Sequence, residues 1–116
     1  MDNKSPECFA CEPRARGVRL DFSLQKSIVL PHEHFVCAEF TVGEVTDSLK
    51  MIFVSHEIII TGHLLRRIET AILNRDLSWV SAQPEKFYSR NSDRPFVTKL
   101  KVKAIEAQPT DQSEIN

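Results

Sequence analysis

The chain has 116 residues, 41% hydrophobic and 27% charged, the size and balance of one folded domain. Its 15 Lys and Arg stand against 16 Asp and Glu, so the net charge of -1 excludes both a globally polybasic nucleic-acid binder and an acidic tail protein. Only 3 Gly and 3 Cys exclude a collagen-like repeat, a Gly-rich phosphate loop and a disulfide scaffold.

Residues 1–16 are polar, contain Pro6 and Pro13, and read as a flexible leader. They lack the apolar stretch of a secretory signal, and no later apolar run approaches the ~18 residues of a membrane span. The expectation is a cytoplasmic protein with free thiols, which suits the odd cysteine count. From Gly17, Val18, Leu20 and Phe22 alternate with Arg19, Asp21 and Ser23, the period of a half-buried strand. Ile28-Val29-Leu30 is a second strand, stopped by Pro31. His32-Glu33-His34-Phe35 reads as a turn, and Val36, Ala38, Phe40 and Val42 alternate with Cys37, Glu39 and Thr41 as a third strand, with Cys37 a small buried side chain. Gly43 to Ser48 is a loop.

Leu49 to Thr61 is too long for one ordinary strand of about 3–10 residues. The polar Ser55-His56-Glu57 divides it into strands 49–54 and 57–61; one long bent strand is the competing reading. Leu64, Leu65, Ile68, Ala71 and Ile72 then form one helical stripe, with Thr61 as N-cap and Asn74 as a left-handed end, a helix at about 63–74. Leu77 to Ser81 is a strand with Trp79 in the core, residues 83–95 a polar loop, and Phe96 to Ala104 the last strand. Residues 106–116 read as a disordered tail. The order β-β-β-β-β-α-β-β gives an α+β domain over 17–105: an antiparallel twisted sheet or a partly open small barrel with one packed helix.

The spacings Val18-x-Leu20-x-Phe22, Ile28-Val29-Leu30-Pro31 and Phe53-x-x-His56-x-Ile58-x-Ile60-x-Gly62-x-x-Leu65 resemble a family of small, strand-rich bacterial proteins without assigned function. The resemblance spans residues 17–80 and implies a fold but no activity. His56 and Gly62 are its matching positions. Gly62 suits a strand-to-helix corner, where a Cβ is penalised.

Cys8-x-x-Cys11 with His32-x-His34 has zinc-ligand residue types, so a Cys2His2 site from Cys8, Cys11, His32 and His34 is one reading. The His-x-His spacing departs from the usual finger, and the alternative is free thiols in the leader. Zinc is the one cofactor this pattern suggests. Ser55-His56-Glu57 has triad residue types, but strand neighbours point to opposite faces. No nucleophile elbow, P-loop or dinucleotide fingerprint is present, so the reading is non-catalytic.

Charge is unevenly spread. Residues 86–103 carry six basic side chains against Asp93, a net +5; residues 14–26 carry four against Asp21, a net +3. Residues 27–63 carry Lys50 against five carboxylates, a net −4. If the first and last strands are neighbours, Arg19, Arg90, Arg94, Lys99, Lys101 and Lys103 form one basic face on which Phe87 and Tyr88 could stack bases of single-stranded nucleic acid. Lysines on an edge strand also serve simply to prevent edge-to-edge aggregation. The leading expectation is a small binding domain whose partner is a protein, or a second copy met through a strand edge, with no membrane. The alternatives are a nucleic-acid binder and a zinc protein.

Overall fold

The computed structural model describes residues 6–105, so the tail expected at 106–116 and residues 1–5 lie outside the described residues. Among these residues eight strands and one α-helix run in the order β1 (Phe9–Cys11), β2 (Gly17–Asp21), β3 (Ser27–Pro31), β4 (Phe35–Thr41), β5 (Asp47–Phe53), β6 (His56–His63), α1 (Arg66–Leu73), β7 (Leu77–Ser81) and β8 (Phe96–Ala104). The fold is α+β, and among the described residues the strands form two sheets and no closed barrel. The first sheet has the order β1-β7-β2-β3, the second β4-β5-β6-β8.

The second sheet is wholly antiparallel. The first is mixed, because β2 and β7 run parallel, Arg19 opposite Trp79. The all-antiparallel expectation fails there: β7 arrives only after β4, β5, β6 and α1, a connection long enough to reverse direction. Pro31 ends β3, and a short 3-10 turn at His32–His34 carries the chain into the second sheet. The Gln83 N–H donates to the Val97 carbonyl (2.9 Å), which ties the end of β7 to the start of β8.

The leader supplies structure. Phe9–Cys11 pairs with β7, and Cys8 is buried. Pro6 and Pro13 flank this short edge strand rather than interrupting it, which is why composition conceals it. The hairpin reading of 49–61 holds: β5 and β6 pair antiparallel around Val54 and Ser55.

Inward residues of both sheets and the helix form one buried cluster, including Val18, Leu20, Met51, Phe53, Ile58, Ile60, Leu65, Ile68 and Phe96. Each such side chain stabilises by roughly 1.5–3 kcal/mol on burial. Three bulges change faces that simple alternation assigns. Phe35 and Cys37 face Phe53 and Ile52, so Val36 is extra and exposed, and Cys37 is exposed rather than buried. Gly62 faces Val97 while Thr61 faces Lys99, so Thr98 is extra and Phe96 and Val97 are both buried. Cys11 faces Leu77 while Ala10 faces Trp79, so Ser78 is extra. Trp79 therefore turns to the outer face, with Leu77 and Val80 both inside; it is not core.

The helix is shorter than its stripe. Thr61 stays in β6, Leu65 occupies the N-cap without a side-chain cap bond, and Leu64 takes the left-handed conformation (φ 59°) at the corner. Gly62 is not that corner. It lies inside β6, where an added Cβ would sit 2.0 Å from the Phe96 carbonyl oxygen. At the other end the left-handed residue is Arg75 (φ 61°), not Asn74. Arg75 N–H donates to Ile72 O and Asp76 N–H to Ala71 O, which satisfies the last carbonyls. Among the described residues no helix is long and apolar enough to cross a membrane.

Candidate binding surfaces

The residues expected to form a zinc site are not brought together. Cys8 is buried with its Sγ 3.9 Å from Val97 O, whereas Cys11 is exposed on β1. His32 is buried, and its Nε2–H donates to Leu77 O at 2.8 Å, leaving Nδ1 without a partner. His34 is exposed at the end of the 3-10 turn. Among the described residues no three His, Cys, Asp or Glu side chains are grouped to hold a metal ion. Burial pushes the Cys8 thiol up, against the opposing pull of the Val97 contact and the Arg94 charge. Cys11 is also raised, by desolvation and by Asp76, with Arg67 opposing. Neither is set up as a thiolate nucleophile.

The basic face is also dispersed. β2 and β8 belong to different sheets, so Arg19 and the lysine stripe are not strand neighbours. Lys99, Lys101 and Lys103 face Thr61, Ile59 and Glu57 across β6, on the outer side of the second sheet. Tyr88 is no free platform: it stacks on His63 (3.8 Å, 7°), packs against Phe96, and His63 in turn meets Glu85 at 3.3 Å. That cluster holds the 83–95 loop down. Arg67 adds a bond to Asp93 O, and Arg94 pairs with Glu7 at 3.0 Å. Phe87 remains exposed with Lys86 over its ring, and Arg90 is exposed. Ser55 Oγ and His56 Nδ1 share a hydrogen bond of 2.7 Å, because Ser55 lies in the turn rather than on the strand; Glu57 continues the ladder opposite Ile52.

Two surfaces stand out. The first is a groove of about 430 Å³ between β4 and the end of α1, lined by Phe35, Cys37, Ala38, Glu69, Thr70, Ile72 and Leu73. β4 is an edge strand of seven residues, and its bulge lies at its start, so Cys37–Thr41 pairs regularly with β5 and leaves its other side open. Farther along β4, Arg66 rests over Phe40, 4.0 Å from the ring centre. Val36 and Leu73 stand exposed beside the groove.

The second is the outer face of the first sheet, where register places Ala10, Trp79, Arg19 and Val29 in one row. Trp79 Nε1–H donates to Asp21 Oδ2 at 2.7 Å. Arg19 donates to the same carboxylate through Nε (3.1 Å) and Nη2 (3.3 Å), and its guanidinium lies 5.8 Å from the indole centre. Sequence reading places Arg19 on a strand's outer face but misses Trp79 and Asp21. The Arg19-x-Asp21 spacing, two residues apart on one strand face, is the available signal; the bulge that turns Trp79 outward leaves none.

Comparison with protein-family models, with curated proteins and with solved structures brought no match. Function is therefore read from these surfaces alone.

Proposed function

We propose that this chain is a non-catalytic protein-interaction module that takes an extended segment of a partner protein along β4, as an added strand, with side chains entering the β4–α1 groove. The observation that carries this reading is an unpaired edge strand running beside a helix with an apolar gap between them. Backbone bonds to an edge supply affinity, and pockets for alternate side chains supply selectivity. Glu33, Glu39, Glu44 and Asp47 lie on or beside β4 and outnumber Lys50 and Arg66, so the fitting segment has apolar residues with Lys or Arg at its flanks.

An array of peptides of about six to eight residues, matched to the length of a strand, tests this. Basic-flanked apolar peptides should bind and should slow alkylation of Cys37 in a Cys11→Ser background. Leu73 is 73% exposed, so Leu73→Ala should leave the melting temperature unchanged. The same change should weaken peptide binding about tenfold, the equivalent of 1.4 kcal/mol and within the value of one buried Leu. Binding that ignores Leu73→Ala and Cys37 alkylation removes the groove from consideration. A mass that doubles with concentration, with no peptide bound, assigns the edge to a second copy instead.

A further inference from the structure

The outer face of the first sheet is separate from that groove and differs from it in chemistry. Two concavities, of about 420 and 430 Å³, meet there at Arg19. Arg16, Glu12 and Trp79 line one; Lys26, Asp21 and Leu24 line the other. The result is a continuous trough with a cation at each end, a third in the middle, and an aromatic ring beside it.

We propose that this trough binds single-stranded nucleic acid, one base stacking on Trp79 and the flanking phosphates meeting Arg16 and Lys26. Three features favour that ligand. The Trp79 ring is half-buried in the sheet surface, and its N–H is already committed to Asp21, which fixes the orientation of the π-face. Stacking tolerates any base and needs an unpaired one, which selects single strands over duplex. The charges complement a phosphate chain: Asp21 is neutralised by Arg19, which leaves Arg16 and Lys26 against Glu12 alone. Leu24, fully exposed in the β2–β3 turn, provides an apolar contact at the Lys26 end for a neighbouring base. The site differs from the basic face expected from sequence, sharing only Arg19 with it.

Trp79 is the sole tryptophan, so the intact chain carries its own reporter. Titration with oligo-dT or oligo-rU of about a dozen nucleotides should quench its fluorescence, as one or two strand-binding sites of this kind span that length. The affinity should fall steeply from about 50 to 200 mM salt. Oligo-dU beside oligo-rU separates a DNA from an RNA ligand through the 2′-hydroxyl alone. By oligonucleotide anisotropy, Trp79→Ala should weaken binding about tenfold, and Trp79→Phe less, because a ring remains. Arg16→Gln with Lys26→Gln should reduce the slope of log affinity on log salt by about 1.4, ~0.7 for each lost phosphate contact. Replacing Lys99, Lys101 and Lys103 together by Gln should leave binding unchanged. The proposal is overturned if neither oligonucleotide quenches Trp79 at 50 mM salt. It is equally overturned if the triple lysine variant loses binding, or if heparin binds as tightly as the oligonucleotides with no dependence on Trp79.

Discussion

The outer faces of the two sheets are made from similar residues and arranged differently. On the second sheet, register aligns Glu39, Lys50, Ile59 and Lys101 in one row and Cys37, Ile52, Glu57 and Lys103 in the next. The ion pair there, Glu39 with Lys50, is 3.9 Å long and mostly exposed. On the first sheet one carboxylate, Asp21, holds both Trp79 and Arg19 within 3.3 Å. A solvated face spreads its charges across neighbouring strands with loose pairing. A built face fixes its aromatic and cationic groups through a shared, partly buried acceptor. This difference, rather than net charge, separates a surface that keeps the sheet edge apart from others from one organised to receive a ligand.

The largest expected effect tests the close approach of β6 and β8 in the second sheet. Gly62 sits at the bulge where the Phe96 carbonyl closes on it. Gly62→Ala should destabilise by about 3 kcal/mol or more, because backbone rather than a flexible side chain blocks the new methyl. Chemical denaturation measures it. A loss under about 1 kcal/mol would mean that β6 and β8 separate readily there, and that the bulge is not a fixed feature of the sheet.

A middle-sized effect sets the two faces directly against each other. Asp21→Ala should cost about 1–2 kcal/mol, since it strips an indole N–H and a guanidinium of a charged acceptor; partial exposure of the pair keeps it below the buried value. It should also alter the near-ultraviolet circular dichroism of Trp79. Glu39→Ala on the other sheet should change stability by no more than about 0.5 kcal/mol. Equal losses at the two positions would erase the distinction between the faces.

Much of the fold is legible because period-two alternation survives wherever a strand is regular: β2, β5, β6 and the second half of β8 fall where Val18-Leu20, Leu49-Met51-Phe53, Ile58-Ile60 and Leu100-Val102 place them. Bulges at Val36, Thr98 and Ser78 are not legible. Each depends on a partner strand distant in sequence, and each changes the facing of residues on one side of it: Phe35 and Val97 turn inward and Trp79 outward. For that reason alternation puts Trp79 in the core and hides the most ordered part of the outer surface; Cys37 keeps the face it shares with Glu39 and Thr41, and its expected burial rests on its small size alone. Left-handed turns fall on Leu64 and Arg75 instead of Gly62 and Asn74, because the glycine is needed for close approach of Phe96. The basic face fails for a topological reason: segments at +3 and +5 belong to different sheets, which composition along the chain cannot reveal.

The smallest effect concerns the seam between the two sheets, where the expected leader is drawn in. Cys8 O accepts from Ser81 N–H (2.8 Å), joining the segment before β1 to β7, while its Sγ approaches Val97 O at the start of β8. Desolvation raises the thiol above its ordinary value of 9.0. In the unfolded chain the thiol loses its proton as pH rises through that value, but in the fold it keeps it. The unfolded state then binds fewer protons than the native one, so stability falls as pH rises above about 9, up to the folded-state pKa. Below that window the contribution is complete and independent of pH. Cys8→Ala removes the titrating group, so its denaturation midpoint should decline less between about pH 8.5 and 10 than that of the native chain. Cys11 is raised in the same direction but is exposed, so Cys11→Ala should flatten the alkaline decline less than Cys8→Ala does. The reverse order would place the desolvated thiol on the β1 edge, and the N-terminal segment would no longer be the piece that seals the first sheet to the second.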